Sequence, residues 1–172
     1  MTGYRRILCP VDSSECSLRA LRYALALARH YDATLDVLRV YHVPAHIQPA
    51  LLIWAATGPR PISELAEEQA DAELEQFLSR LPAADRRQVG SILEAGDPAR
   101  GIVEVVRRQG SDLVVMGTHG RTGARKVALG SVAERVVRTC PCPVLVVPSA
   151  STVRLESAET QKPPLGPEGA TP

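Results

Sequence analysis

Glycines and basic side chains follow an apolar run within residues 114–147. The apolar run stops at Gly117, and the loop behind it carries two further glycines among cationic residues. This loop contains His119, Gly120, Arg121, Gly123, Arg125 and Lys126. A turn rich in glycine lets backbone N–H groups face a concavity, because no Cβ blocks the approach. These residue types in this order indicate an anion site, with phosphate as the expected ligand.

A predicted helix start strengthens this interpretation. The first N–H groups of a helix have no partner inside the helix, and they lie at the positive end of its dipole. Ser131 and Glu134 have the spacing of a capping box, which predicts that a helix starts at Gly130 and Ser131. Two roles stay open for Ser131, phosphate ligand or cap of its own helix. The loop cations either neutralise phosphate oxygens or are simply solvated.

The glycine spacing separates this loop from the common nucleotide motifs. The pattern Gly117-x2-Gly120-x2-Gly123 does not fit GxGxxG, and no glycine stands at the right distance from a lysine for GxxxxGK[ST]. The pattern that fits is G-x2-G-x9-G-[S/T], with Gly117, Gly120, Gly130 and Ser131 in register. It resembles the pattern of the ATP-binding branch of the universal stress protein family. The resemblance covers roughly residues 3–148 of a predicted domain at residues 1–148, and it leaves out the proline-rich loop at 44–61.

Composition bounds the class of protein. The chain has 172 residues, 45% of them apolar and 23% charged, which is typical of one soluble globular domain with a tail. A net charge of +1 and only six aromatic side chains indicate neither a nucleic-acid nor a membrane partner. The first residues lack an apolar signal region, and no apolar run reaches the roughly 18 residues of a membrane span. We expect a cytoplasmic protein with reduced cysteines.

Apolar periodicity predicts alternating strands and helices. Strands are expected at residues 7–11, 33–40, 89–94, 112–116 and 144–147, with helices between them. Ser63 is the predicted cap of the second helix, because acidic residues fill the turn behind it. This order predicts an α/β fold, a parallel doubly wound sheet with helices on both faces. The resemblance implies five strands in the order 3-2-1-4-5, a Rossmann-like arrangement of the adenine nucleotide alpha hydrolase type.

Two segments depart from the periodic pattern. Residues 44–61 contain four prolines around an apolar run that includes Trp54. We interpret this segment as a loop or helical turn packed over the sheet edge or a partner subunit. The alternative is a flap over a ligand pocket. Residues 149–172 are rich in proline and polar residues and predict a disordered tail.

The two arguments meet at one crevice. Ligands of doubly wound sheets bind beyond the carboxyl ends of the strands, where the winding direction reverses. For the implied order this point lies between the first and fourth strands. The resemblance implies contacts to the nucleoside from Pro10, Val11, Asp12, Val40 and Met116. It implies contacts to the phosphates from Gly117, Gly120, Gly130, Ser131 and the N–H of Val132. His119 and Arg121 are further candidate phosphate ligands because of their residue types. Asp12 as a helix cap and Val40 as an ordinary core residue are the alternatives.

Other candidate chemistry is weaker. His42 and His46 have helical spacing, but Pro44 between them argues against a metal pair. Cys140-Pro-Cys142 is not the CxxC of a redox helix, and we interpret it as a structural thiol pair at the entry to the last strand. Redox sensing is the alternative. His119 is expected to be solvated rather than catalytic.

The leading hypothesis is a regulatory or protective module of a stress response that responds to ATP, with or without Mg²⁺. It is not expected to be an enzyme, beyond weak ATP hydrolysis. The resemblance implies a homodimer that pairs Val144–Val147 with its twofold mate, because a bare apolar edge strand tends to be covered. The protein partner is not identified. Two alternatives remain, a slow ATPase or nucleotidyl-transfer enzyme and a nucleotide-free dimeric adaptor.

Overall fold

The computed structural model describes residues 3–42, 51–55, 58–118 and 129–148. These residues form seven strands and five helices. The strands are β1 (Arg6–Val11), β2 (Thr34–Tyr41), β3 (Leu52–Ala55), β4 (Gly58–Pro61), β5 (Val89–Ala95), β6 (Leu113–Gly117) and β7 (Val144–Val147). The helices are α1 (Glu15–Tyr31), α2 (Ile62–Leu78), α3 (Ala83–Arg86), α4 (Pro98–Gln109) and α5 (Ser131–Thr139).

Five strands form one parallel sheet in the order β5-β2-β1-β6-β7. Counted along this sheet alone, the order is 3-2-1-4-5, so the predicted fold class and strand order are confirmed. The chain first winds outward from β1 through β2 to β5 and then returns to the other side of β1 with β6. The winding direction therefore reverses between β1 and β6, where the carboxyl ends of two adjacent strands separate.

Both faces of the sheet are covered, and strand alternation divides the core into two clusters. One cluster contains Ile7 and Cys9 of β1 and packs under α1 and α2. The other contains Leu8 of β1 and packs under α4 and α5. Successive strand residues point to opposite faces, so odd positions of β1 and β2 face α1 and α2, and even positions face α4 and α5.

Helix ends follow the local signals. Ser14 caps α1 by accepting a hydrogen bond from the N–H of Ser17, and Asp97 caps α4 by accepting from the N–H of Arg100. Helix α4 ends at Gln109 and is followed by Gly110, whose φ of 67° is the left-handed conformation that glycine adopts without strain. Within the described ranges, no helix has the length and apolarity that crossing a membrane would require.

The prediction for Ser63 is wrong. Helix α2 begins at Ile62, directly after Pro61 and two residues earlier than a cap at Ser63 predicts, and no side chain caps it. The first N–H of the helix, that of Ile62, instead donates a hydrogen bond to the carbonyl of Leu51, next to β3, at 2.9 Å. Ser63 therefore lies inside the first turn, two positions after the N-cap residue Pro61 and too late to cap the helix.

The proline-rich segment also differs from the prediction of a loop or helical turn. Its described part is an antiparallel hairpin in which β3 pairs with β4. Arg60 anchors the hairpin to α2 through Glu64 and Glu68. The side chain of Trp54 is 86% exposed, so this part does not pack over the sheet edge. Residues 44–50 and 56–57 of the segment lie outside the described residues, as does the predicted tail from residue 149.

Candidate functional site

The turn between β1 and α1 forms one side of the crevice. Pro10 and Val11 end the strand in the buried interior. The carboxylate of Asp12 accepts hydrogen bonds from the N–H of Ser14 at 3.2 Å and from its hydroxyl at 2.6 Å. Ser14 in turn accepts from the N–H of Ser17 at 3.1 Å. Asp12 is therefore not itself the cap of α1 but holds the residue that is.

Gly117 ends β6 on the other side of the crevice, and its lack of a side chain has a packing reason. A Cβ at this position would lie 2.7 Å from Sγ and 3.2 Å from the backbone carbonyl carbon of Cys16. Helix α1 thus approaches β6 so closely that only glycine fits without a shift. The sequence motif assigned Gly117 to a ligand, whereas the structure gives it a role in helix packing as well.

The glycine-rich loop leaves the sheet and returns at one point. Thr118 donates its N–H to the carbonyl of Val147 at 3.0 Å, and its own carbonyl accepts from the N–H of Gly130 at 2.8 Å. These two bonds tie the beginning and the end of the loop to the carboxyl ends of β6 and β7. The predicted ligands His119, Gly120 and Arg121 belong to residues 119–128, outside the described residues.

Helix α5 starts where the sequence predicts, but the capping box is wrong. The N-cap is Gly130, with φ −61° and ψ 151°, and no side chain bonds to the first turn. Ser131 is the first helical residue and is exposed, so its hydroxyl comes one position too late to cap the helix. Glu134 does not fold back either, because its carboxylate pairs with Arg138 at 3.0 Å. The N-terminus of α5 therefore faces the crevice without a side-chain acceptor.

The residues predicted to surround a nucleoside divide between the two faces of the sheet. Met116 lies in the cluster under α4 and α5, and Val40 and Val132 pack against it. Pro10 shares this face by alternation with Leu8 of the same cluster. Val11 belongs to the opposite cluster, under α1. Its side chain therefore faces away from Val40 and Met116, which leaves its backbone for the crevice.

The four cysteines are free thiols. Burial raises the pKa of Cys9, which keeps this thiol protonated at neutral pH. Sγ of Cys140 lies 3.5 Å from Sγ of Cys142, between the end of α5 and the start of β7. Desolvation, and then the hydrogen bond with Cys140, raise the pKa of Cys142 to about 12. The pair thus lies at the predicted entry to the last strand, and its structural role stays a prediction.

Metal-ligating side chains do not gather in the part of the chain that the structure describes, where no three His, Cys, Asp or Glu residues come close enough to share an ion. His42 is exposed at the end of β2, and His46 lies outside the described residues.

Sequence reasoning missed one residue below the crevice. Arg39 of β2 is only 7% exposed, and its guanidinium bonds to Ser13 of the β1–α1 turn and to Glu73 of α2. A charged residue that interrupts the apolar series Val37, Leu38 and Val40 is a signal that the sequence contains, because a buried charge requires partners.

Comparison with known proteins connects this geometry to a family. A sequence profile described as "Universal stress protein family" matches residues 3–148. Universal stress protein MJ0531 of Methanocaldococcus jannaschii is 38% identical over 144 residues, which are 84% of this chain and 82% of that protein. The structure of universal stress protein UspA from Lactobacillus plantarum matches with a TM-score of 0.66 and 27% identity, over 86% of this chain and 99% of that one.

A more distant match concerns the fold alone. The crystal structure of a universal stress protein in complex with cAMP has a TM-score of 0.58 and 23% identity to this chain. It covers 85% of this chain and 98% of that one.

Proposed function

The chain belongs to the universal stress protein family, and from this premise we propose that it binds an adenine nucleotide at the carboxyl ends of β1 and β6. ATP, with or without Mg²⁺, is the proposed ligand. Binding rather than turnover is the proposed activity, and the protein acts as a nucleotide-responsive regulatory module of a stress response. The observation that carries the proposal is the uncapped N-terminus of α5 beside the β1–α1 turn.

The N-terminus of α5 suits a phosphate group. Its first N–H groups receive no side-chain acceptor, and the helix dipole adds partial positive charge at that end. An anion at this position satisfies the N–H groups that the chain leaves open. Gly130 admits a ligand close to the backbone, and the exposed hydroxyl of Ser131 adds a donor. In the proposed complex His119, Gly120 and Arg121 complete the phosphate site.

The opposite side of the crevice suits the nucleoside. Asp12 places a carboxylate at the end of β1, where it can accept hydrogen bonds from ribose hydroxyls. Val40, Met116 and Pro10 share one face of the sheet and offer an apolar wall to a base. The cAMP complex of the related fold supports the choice of ligand class, since an adenine nucleotide bound to that protein.

A regulatory module must change with its ligand. Nucleotide bound next to Thr118 and Gly130, the two described ends of the glycine-rich loop, would alter the surface presented to a protein partner. The proposal includes a cytoplasmic location, which fits the four free thiols of the chain.

The experiment is to denature freshly purified protein in acid and to identify released small molecules by chromatography and mass spectrometry. We expect adenine nucleotide in roughly equimolar amount with the chain, and its loss in a Gly120→Val, Gly130→Val double variant. Arg107→Ala on the exposed face of α4 is the matched control and should retain nucleotide. The absence of nucleotide, together with no ATP binding at millimolar concentration, would leave the dimeric adaptor. ADP alone would favour hydrolysis.

The proposal includes a homodimer through β7. Val114 and Thr118 donate to the carbonyls of Pro143 and Val147, so odd positions of this strand pair with β6. Even positions then direct their backbone groups to the free edge. The side chain of Leu145 is 40% exposed. We expect Leu145→Lys to convert a dimer to a monomer in light scattering, whereas Tyr23→Lys on α1 leaves it a dimer. A monomeric parent protein would refute the interface.

A further inference from the structure

A buried arginine supports the turn that carries Asp12. Arg39 lies level with Val11 in the pairing of β2 with β1, and its side chain faces α1 and α2. Its Nη1 donates to the hydroxyl oxygen of Ser13 at 2.8 Å, and its Nη2 pairs with the carboxylate of Glu73. The turn, the second strand and helix α2 are thus joined through one guanidinium.

Ser13 has an unfavourable backbone conformation. Its φ is 67°, and in the described part of the chain the only other non-glycine residue with positive φ is Asp32, at the end of α1. Residues with a Cβ rarely adopt this left-handed conformation, whose population is lower by roughly a factor of 5 to 30 than that of the ordinary backbone conformations. Such a residue persists only where its surroundings hold it there. The hydroxyl of Ser13 accepts a hydrogen bond from Arg39, and this contact can hold the residue in place.

The arginine is poorly explained by packing alone. Leu35 and Val37, on the same face of β2, are apolar and buried, so an apolar residue at position 39 would continue their series. Instead the strand buries a guanidinium whose Nε has no hydrogen-bond partner. A buried N–H without a partner costs free energy. We therefore look for the function of Arg39 in the contacts of its other two nitrogens.

We propose that Arg39 is a positioning residue of the nucleotide site. Braced by Glu73, it holds Ser13 in the left-handed conformation and so sets the direction of the chain between Asp12 and Ser14. The carboxylate of Asp12 then meets the N–H and the hydroxyl of Ser14, and its free oxygen is presented at a fixed place. Arg39 itself touches no ligand. This inference rests on the proposed role of Asp12 in nucleotide binding.

Glycine provides the decisive test, because it adopts positive φ without help from a neighbour. We expect Arg39→Met to weaken ATP binding by about 5- to 30-fold in calorimetry, in proportion to the loss of the competent turn. Adding Ser13→Gly to Arg39→Met should restore the affinity. Arg80→Met is the matched control, since Arg80 lies near the same turn but pairs with Glu15 and stacks on Phe77.

A second readout needs no nucleotide. In the free protein, the couplings between the amide and α protons and the Cα chemical shift of residue 13 report its φ, together with the Cβ shift where residue 13 is serine. We expect these to show positive φ in the wild type, its loss in Arg39→Met and its return in the double variant. If Arg39→Met does not fold, Ser13→Ala removes the same hydrogen bond from a half-exposed position and should cause the same loss.

The outcomes separate this inference from the proposed function. Positive φ retained in Arg39→Met, or weak ATP binding that Ser13→Gly does not restore, would overturn the positioning role. A wild type that binds no ATP would overturn the proposed function and the link to nucleotide. The free-protein spectra would still decide whether Arg39 holds the turn.

Discussion

Two helices begin at the crevice, and their N-termini are treated in opposite ways. At α1 the chain supplies its own acceptors, since Ser14 caps the helix and Asp12 bonds to Ser14. At α5 the chain supplies a glycine and no side-chain cap. Helix α2 also lacks a side-chain cap, but its first N–H bonds to the hairpin. The fold itself completes the N-terminus of α1, whereas in the proposed complex a bound phosphate completes the N-terminus of α5.

The largest expected effect comes from giving α5 the cap that it lacks. In Gly130→Asp a carboxylate would occupy the N–H groups proposed for phosphate and repel the ligand. The backbone angles of Gly130 are ones that any residue adopts. We expect ATP affinity to fall at least about tenfold, because charge-assisted hydrogen bonds contribute about 1.5–3 kcal/mol each. The free protein should gain about 0.5–1 kcal/mol from the cap and the dipole.

Calorimetry and urea unfolding would measure the two effects separately. Gly130→Asn is the control, since it caps the helix without charge and should reduce affinity less. Undiminished ATP binding by Gly130→Asp would mean that α5 does not receive the phosphates.

A side chain at Gly117, the end of β6, should have the opposite effect on stability and destabilise the free protein. Gly117→Ala brings a Cβ against the backbone of Cys16, which cannot move without shifting α1. We expect the free energy of unfolding to decrease by about 1–3 kcal/mol, as for other overpacked sites. Gly101→Ala in α4 is the control, because its Cβ would meet only side-chain atoms, at 3.3 Å. Alanine also favours the helix by about 1 kcal/mol there. Equal stabilities would show that Gly117 is retained for a ligand alone.

The sequence predicted the strands of the sheet more accurately than the helix caps. Apolar periodicity located the strands of the sheet, because alternation and burial depend on neighbours along the chain. Caps were harder. Ser131 and Glu134 satisfy the capping-box spacing, yet the helix begins at Ser131, one residue earlier than a cap at Ser131 requires. The predicted cap of α2 was also wrong, since the first N–H of this helix donates to the carbonyl of Leu51.

Contacts between distant elements were beyond reach for a different reason. The motif predicted the same role, ligand binding, for Gly117 and Gly130. The close approach of Cys16, which gives Gly117 a packing role, is visible only in the structure. The bond from Arg39 to Ser13 joins residues 26 positions apart, and the strained φ of Ser13 leaves no trace in residue type.

A smaller effect distinguishes the two serines. Ser14→Ala removes the cap of α1 and should cost about 1 kcal/mol of stability. Ser131→Ala removes no cap and should change stability by less than about 0.5 kcal/mol, as exposed substitutions usually do. Both are measured by urea unfolding without ligand. A cost for Ser131→Ala that equals the cost for Ser14→Ala would mean that Ser131 does stabilise its helix.

The smallest effect concerns α4, which its own chain caps as it does α1. Asp97 accepts from Arg135 of α5 and from the N–H of Arg100, and these bonds, Arg135 first, lower the pKa of Asp97. A lowered carboxyl pKa contributes stability that is fully present above the unfolded value, about 3.9, and lost as pH falls through the folded value. Asp97→Asn retains a cap but loses the charged pair with Arg135.

Because Asp97 is largely exposed, solvent screening limits this contribution to below about 1 kcal/mol. We expect Asp97→Asn to be less stable than the wild type by such an amount at pH 6, and the difference to vanish below the folded pKa. Asp71→Asn on the exposed face of α2 should show no such convergence. A difference between Asp97→Asn and the wild type that persists unchanged in acid would mean that the amide disturbs the cap. The contrast between self-capped helices and α5 would then rest on α1 alone.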